Sequence, residues 1–402
     1  MKKGDLIGGY RIVSEPTNAN GGKCIWAFAE KGGGQYFVKR FLEPKRPRDD
    51  AADSRSVRIR RQLAREFEDR HRTIMERLRP DARGGGNLVL ATDFFHEGST
   101  YYKVTERIDT SSLEKPQTLE PRNKMVLLKT LGNSLQQLHD IDVVHGDLKP
   151  LNVLVQRRDG AAFHTAKLID FDDSYVSGRP PEPDDIAGDS VYGAPEWRRF
   201  MQRDESVGPE HLTCAVDVFA LGLMTHLYLT GDLPHHDGRY GSPADAVNAG
   251  ELLDLDTRLS DEMLGLLRAM TTRAPGGRPR VAAFLKALSD PKVCALRHRR
   301  PGSSRTKAPA DETAAATAAE TTKSSGPGVR TSRIKAKNLA SAPRPRTATP
   351  PPGSTGTESP RDAGDTGSPA APAAQPAAET PVERTSRVRI NLGDRHRRPG
   401  SS

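Results

Sequence analysis

The chain has 402 residues, of which 35% are apolar and 31 are proline, and its formal net charge is +9. Residues 301–402 hold 16 Lys and Arg against 9 Asp and Glu, and no aromatic residue. Such a segment cannot bury enough apolar surface to offset the entropy of ordering its backbone, so we predict a disordered tail over residues 297–402. Positive charge on a flexible tail, rather than on a folded face, argues against a nucleic-acid partner.

The first 105 residues or so predict a small lobe of strands with one helix. Short β-branched and aromatic runs are separated by Asn and Gly clusters, which is typical of antiparallel hairpins. A segment with Leu63, Phe67 and Leu78 at approximately helical spacing predicts the helix. The predicted strands cover residues 10–13, 24–29, 35–41, 88–95 and 100–106.

The region from about residue 106 to 296 predicts a second, mainly helical lobe, because its apolar spacing follows the helical period. Two apolar runs near its start are connected through Asp159-Gly160 and predict a β-hairpin with a long turn. The expected fold class is therefore α+β, with both lobes inside one domain of residues 1–296. The predicted helices cover residues 125–138, 216–228 and 261–270.

Two short motifs occur twice in the tail. RHRRPGSS fills residues 297–304 and 395–402, and TSRIKAKNL at residue 331 is similar to TSRVRINL at residue 385. One interpretation is that the repeats are docking or phosphorylated elements read by a partner domain, since a flexible tether raises the local concentration of what it carries. The other is a solvated linker, and the sequence leaves both open.

The residues with the clearest chemistry lie in HGDLKPLN, residues 145–152, and in DFD, residues 170–172. Transfer of a phosphoryl group requires an acidic side chain to orient the acceptor hydroxyl, a cation near the transferring charge and oxygen ligands for magnesium. Asp147, Lys149, Asn152 and Asp170 supply that set.

These motifs resemble the eukaryotic-like protein kinase family, as found in bacterial serine/threonine kinases, from about residue 10 to 296. The resemblance implies a bilobal protein-kinase-like fold that uses ATP and Mg²⁺ and phosphorylates protein substrates. It implies that Asp147 is the catalytic base and that Lys149 neutralises the transferring phosphate. It also implies that Asn152 and Asp170 hold magnesium and that Lys39, in YFVKRF, contacts the α- and β-phosphates.

The same resemblance gives four residues structural roles. His145 opens the catalytic motif, and Asp217 in DVFALG would anchor that loop from beneath. Glu196 in GAPEW would pair with Arg278 in PGGRPR. In YKVTERI, which resembles the segment that joins the lobes, Glu106 and the neighbouring Arg107 would present backbone groups to adenine.

The phosphate-binding loop departs from the family's glycine-rich pattern. Aligning Ile25 with the pattern's valine puts Asn18, Asn20 and Lys23 on its three glycines, so that Gly21 and Gly22 supply the flexibility. Since Asn tolerates left-handed backbone conformations, we expect the loop to bind ATP through Asn18, Asn20, Gly21, Gly22 and Ile25.

Other departures concern the catalytic residues themselves. The helix that should donate a glutamate to Lys39 offers Glu68, our choice, although the apolar spacing puts His71 at that position. Asp172 replaces the glycine of the usual DFG, with either metal binding or phosphate repulsion as a consequence. Gly146 replaces an arginine that would bind an activation-loop phosphate, so we expect activity without such phosphorylation.

The three cysteines, Cys24, Cys214 and Cys294, are widely spaced and form no CxxC pair, which excludes a disulfide scaffold and a zinc knuckle. No uncharged apolar run reaches the roughly 18 residues that span a bilayer, so we expect a cytoplasmic protein. Two alternatives to a protein kinase remain at this point: a nucleotide-binding pseudokinase scaffold and a small-molecule phosphotransferase.

Overall fold

The computed structural model describes residues 1–19, 22, 24–78, 87–108, 115–157 and 163–297, together with the backbone of Val388–Arg389. The predicted Asp159-Gly160 turn lies outside the described residues, as do the tail repeats apart from Arg297 and Val388–Arg389. Among the described residues, no helix combines the length and the apolar character that crossing a membrane requires.

An antiparallel sheet forms the N-terminal lobe. Within the described residues the strand order is β1-β2-β3-β4-β6-β5-β11, so that β4 lies in the middle, between β3 and β6. The strands are β1 (Leu6–Ile7), β2 (Tyr10–Ile12), β3 (Cys24–Lys31), β4 (Gly34–Phe41), β5 (Ala91–Glu97), β6 (Thr100–Glu106) and β11 (Val388–Arg389).

Helix α1 (Arg55–Arg77) packs against this sheet. It begins after Ser54, whose hydroxyl accepts a hydrogen bond from the backbone N–H of Val57 and so satisfies one of the unpaired donors of the first turn. Its buried face carries Phe67 and Met75, which share an apolar cluster with residues of the sheet. The polar ring of His71 lies on that same buried face.

The C-terminal lobe is built around two long helices. Helix α4 is buried on nearly all sides, which matches its almost continuously apolar sequence. It packs with the leucines of α2 in one large cluster. The elements of this lobe are α2 (Pro121–His139), β7 (Val143–Val144), β8 (Val153–Arg157), β9 (His164–Leu168), β10 (Tyr175–Val176), α3 (Pro195–Met201), α4 (Ala215–Thr230), α5 (Pro243–Asn248), α6 (Asp261–Met270) and α7 (Val281–Ala287).

The predicted fold class is confirmed: a sheet lobe with one helix precedes a mainly helical lobe. Helix α1 begins at Arg55, well before the predicted start, because its charged first turns carry no apolar period. Four short strands, β1, β7, β10 and β11, and the short helices α3, α5 and α7 were not predicted. Elements of two to seven residues are too short for a hydrophobic period to show.

Candidate active site

The catalytic loop lies between β7 and β8, and Asp217 on α4 fixes its backbone. The buried carboxylate of Asp217 accepts the backbone N–H of His145 at 2.8 Å on one oxygen and that of Gly146 at 3.0 Å on the other. The Nε2 of His145 in turn donates to the carbonyl of Ile169 at 3.1 Å, just before Asp170. The loop is therefore tied both to the helix beneath it and to the segment that carries Asp170.

Asp147 is held with one carboxylate oxygen free. Its Oδ2 accepts from Lys149 Nζ at 2.7 Å and from Asn152 Nδ2 at 2.9 Å. Its Oδ1 is buried and has no hydrogen-bond partner within the described part of the chain. An unpaired buried acceptor is costly, so this atom is suited to receive a hydrogen bond from an acceptor hydroxyl. Burial alone would lower the pKa of Lys149, but the Asp147 carboxylate outweighs it and raises that pKa.

Asp170 follows β9 in a left-handed backbone conformation, with φ of +64°. Few residues other than glycine adopt this region, and such outliers concentrate at functional sites. The next residue, Phe171, is buried against His145, with ring centroids 5.4 Å apart. The buried phenyl ring anchors the short turn that presents Asp170 to the N-terminal lobe.

Lys39 reaches this turn from the central strand β4. Its ammonium lies 2.7 Å from Asp170 Oδ1 and 2.7 Å from Asp172 Oδ2. Burial alone would lower the pKa of Lys39, but the charges of Asp172 and Asp170 outweigh it and raise that pKa. The structure thus brings the predicted residues Lys39, Asp147, Lys149, Asn152 and Asp170 into one cleft between sheet and helices.

The predicted phosphate-binding residues lie in the β2–β3 connection of the same sheet and at the start of β3. Asn18 is exposed in the β2–β3 connection, Gly22 has a φ of +54°, and Ile25 lies on β3. The predicted loop residues Asn20 and Gly21 lie outside the described residues.

Glu106 is exposed at the end of β6, where the chain leaves the sheet for the second lobe. The backbone N–H of Arg107 donates to the carbonyl of Gln35 at 3.0 Å, so the sheet extends its hydrogen bonding by one residue beyond β6 and this group is not free for adenine. That the other backbone groups of Glu106 and Arg107 face adenine stays a prediction.

The donor set at the base of the cleft fits Mg²⁺ bound together with a triphosphate. Asn152 uses its amide nitrogen for Asp147, which leaves its Oδ1 as a ligand atom, and Asp170 uses Oδ1 for Lys39, which leaves Oδ2. Within the described residues, no three His, Cys, Asp or Glu side chains converge as a metal-binding group. A magnesium site made of one or two protein oxygens plus phosphate oxygens needs no such group.

A protein-family model described as "Protein kinase domain" matches residues 54–288, more than half of the chain. The chain belongs to the protein kinase family. The predicted kinase-like fold class is thereby confirmed.

Named protein kinases are similar over part of this chain. It is 25% identical over 276 residues to "Protein kinase kin1" of Schizosaccharomyces pombe, covering 67% of this chain and 29% of that protein. It is 28% identical to "Serine/threonine-protein kinase ULK3" of Xenopus laevis, covering 48% of this chain and 40% of that protein. It is 30% identical to "Serine/threonine-protein kinase pkn2" of Myxococcus xanthus, covering 37% of this chain and 17% of that protein.

These matches thus span well under half of each relative's own length. The organisms include two eukaryotes and a bacterium, so the bacterial type we expected stays a prediction. The division into residues 1–296 and a tail also stays a prediction.

The prediction that Glu68 on helix α1 pairs with Lys39 is wrong. Glu68 accepts from Arg46 at 2.9 Å and from the Tyr101 hydroxyl at 2.6 Å, and it does not contact Lys39. The neighbouring helix residue on the buried face is His71, whose Nε2 lies 3.7 Å from Asp172 Oδ1. The carboxylate that pairs with Lys39, besides Asp170, is Asp172, which sequence reasoning did not assign to this role.

The activation segment is anchored at both ends. Its start packs on the catalytic loop, where Gly146 has a φ of +80° and a Cβ would lie 2.6 Å from the carbonyl oxygen of Asp173. Any residue with a Cβ, arginine included, would strain the backbone here and clash with that oxygen, so the backbone conformation requires glycine at this position.

At its other end, Asp189 lies 3.7 Å from Lys149 and caps the next turn by accepting the backbone N–H of Val191 and Tyr192. The neighbouring Ser190 is exposed.

The segment closes on a buried ion pair. Glu196, at the start of α3, accepts two hydrogen bonds from the Arg278 guanidinium, both at 2.7 Å. The side chains are 3% and 0% exposed. This pair ties the end of the activation segment to the loop before α7.

Proposed function

We propose that this chain is a protein serine/threonine kinase that transfers the γ-phosphoryl group of ATP, bound with Mg²⁺, to hydroxyl groups of proteins. The observation that carries the proposal is the arrangement of Asp147: one oxygen is fixed by Lys149 and Asn152, while the other is buried and has no partner among the residues that the structure describes. At the same cleft, Lys39 from the N-terminal lobe contacts Asp170 from the C-terminal lobe.

Each side chain then has a distinct task. Asp147 Oδ1 accepts the hydrogen bond of the attacking hydroxyl and directs its oxygen at the γ-phosphorus. Lys149 places its charge beside that oxygen and offsets the negative charge that spreads over the transferring group. Lys39 positions the α- and β-phosphates, and magnesium held through Asn152 and Asp170 would neutralise phosphate charge.

Labelled-ATP transfer by the full chain beside Asp147→Asn tests the proposal. Asn keeps the shape of the side chain and can keep the bonds to Lys149 and Asn152 through its amide oxygen, but it cannot take a proton, so phosphotransfer should fall by at least about 100-fold. ATP affinity, measured by calorimetry with Mg²⁺, should stay within about threefold, because Asp147 is not proposed to hold the nucleotide. Equal transfer by both proteins would rule out Asp147 as the catalytic base.

A pseudokinase that binds nucleotide without transfer is the second candidate, and one contact favours it. Asp172 places a second carboxylate beside Lys39, where the phosphates are expected. Binding of ATP with no transfer to protein or to low-mass alcohols would select this candidate. Transfer to low-mass alcohols alone would instead indicate a small-molecule phosphotransferase.

We further propose that activity does not require phosphorylation of the activation segment. Ser174 and Tyr175 are fully buried, and the Ser174 hydroxyl donates to the carbonyl of His145 at 3.0 Å. Neither hydroxyl is open to another kinase in this arrangement. Gly146 offers no cation for a phosphate in the segment.

A further inference from the structure

Two lysines lie side by side in the N-terminal sheet behind the nucleotide cleft. Lys39 on β4 and Lys103 on β6 are directly opposite each other in the strand register, and their side chains are only 13% and 9% exposed. Like charges directly opposite on neighbouring strands destabilise a sheet, and burial increases the cost. This pair therefore requires a counter-charge.

Asp172 supplies that counter-charge from the other lobe. Its Oδ2 lies 2.7 Å from Lys39 Nζ and its Oδ1 lies 2.6 Å from Lys103 Nζ, so each oxygen serves one ammonium. The carboxylate is 14% exposed. Burial alone would raise the pKa of Asp172, but the charges of Lys103 and Lys39 outweigh it and hold that pKa well below its ordinary value.

Helix α1 approaches the same point with an uncharged side chain. The ring of His71 stacks on Phe94, with centroids 4.9 Å apart, and its Nδ1 donates to the carbonyl of Phe67 at 2.9 Å. Its Nε2 faces Asp172 at 3.7 Å, and burial lowers the pKa of the ring. A carboxylate on the helix at this position would repel the carboxylate of Asp172.

We propose that Asp172 is the residue that positions Lys39 for the nucleotide phosphates, with Lys103 as its counter-charge, in place of a glutamate on helix α1. This inference rests on the proposed kinase function. Asp172 lies in the same turn as Asp170, so one short segment sets both the phosphate-binding lysine and the proposed magnesium ligand. The position of Lys39 is then independent of the position of helix α1.

The test moves the carboxylate from position 172 to position 71 on helix α1 in the full-length chain. The measurements are ATP affinity by calorimetry with Mg²⁺ and the KM and kcat of phosphotransfer. Asp172→Gly should weaken ATP affinity and raise KM by on the order of tenfold. His71→Glu alone should also weaken binding, since it adds a second carboxylate. The two changes together move the carboxylate to the helix and should restore affinity to within about threefold of the wild type.

Asp172→Asn, which removes the charge and keeps the shape of the side chain, should also weaken ATP affinity. Glu68→Gln, on the same helix as His71, is the matched comparison, and its effect on ATP affinity should be smaller than that of Asp172→Asn. An effect as large as that of Asp172→Asn would overturn the proposal. If the double variant Asp172→Gly, His71→Glu binds ATP no more tightly than Asp172→Gly, the proposal is overturned as well, because loss of a merely structural aspartate is not repaired by a carboxylate on the helix.

Misfolding is a competing explanation for Asp172→Gly, because the change leaves Lys103 buried without a counter-charge. Lys103→Met combined with Asp172→Gly removes that charge, so thermal unfolding should return close to that of the wild type while ATP affinity stays weak. Wild-type affinity in this folded double variant would overturn the proposal.

The affinity series also separates this inference from the proposed function. A wild type that binds ATP but transfers no phosphate would refute the kinase activity, while the affinities still decide the role of Asp172. A wild type that binds no ATP would refute both.

Discussion

Arg278 and Glu196 form a buried ion pair whose loss should be expensive. Besides its two bonds to Glu196, the guanidinium donates to the backbone carbonyls of Ala215 at 2.8 Å, Thr272 at 3.0 Å and Arg273 at 3.2 Å. It thereby connects α3, the start of α4 and the loop that follows α6. All of these bonds are charge-assisted, and each is shielded from water by the fully buried side chain.

Arg278→Met keeps the apolar stem and removes the charge. The change leaves the Glu196 carboxylate, 3% exposed, without its cation and leaves three carbonyls without this donor. Removing one partner of a buried ion pair costs about 3–5 kcal/mol, which is a large part of a domain's free energy of unfolding of roughly 5–15 kcal/mol. At roughly 2–4 °C per kcal/mol, Tm should fall by on the order of 10 °C.

Arg198→Met, on the helix α3 that also carries Glu196, is the matched control. Arg198 also makes two bonds to one carboxylate, at 3.1 and 3.2 Å from Asp245, but these side chains are 30% and 23% exposed. A partly exposed pair contributes at most about 1 kcal/mol. Urea unfolding followed by circular dichroism measures both free energies of unfolding. If Arg278→Met costs no more than Arg198→Met, the reasoning from burial is refuted.

Two further predictions concern pH and the activation segment. His226 is buried and neutral, with its Nδ1 donating to the Asp232 carbonyl and its Nε2 accepting the backbone N–H of Asp256, and burial lowers its pKa from 6.5. As pH falls below 6.5, the His226 ring takes up a proton in the unfolded chain but not yet in the folded one. The neutral ring therefore makes its full contribution to the free energy of unfolding above pH 6.5 and loses it below. His226→Gln should reduce the slope of unfolding free energy between about pH 6.5 and 5 by up to about 1.4 kcal/mol per pH unit; an unchanged slope contradicts this assignment. Replacing Ser177 and Ser190 together by Ala should keep phosphotransfer within about threefold, and a loss above about tenfold with the fold intact would show that segment phosphorylation is needed.

The catalytic loop was predictable because its chemistry is local. Asp147, Lys149 and Asn152 lie within six residues of one another, and the flanking apolar runs predict the strands that hold them. The Glu68 assignment failed for a geometric reason. At about 100° per residue, Glu68 and His71 point only about 60° apart around the helix, and apolar spacing cannot resolve so small a rotation.

The role of Asp172 could not be read from spacing, since it is 133 residues from Lys39 in sequence. A signal was nevertheless present. Lys103 interrupts the apolar and aromatic strand YYKVTE, and a charge in a buried strand requires a partner of opposite sign. Asp172 is one of two additional carboxylates in the loop that packs against that strand, the other being Asp173. Either Lys103 or Asp172 alone would be a buried charge that destabilises the fold, but their opposite charges cancel when the two side chains meet. These two departures from the expected pattern therefore belong together as one buried ion pair.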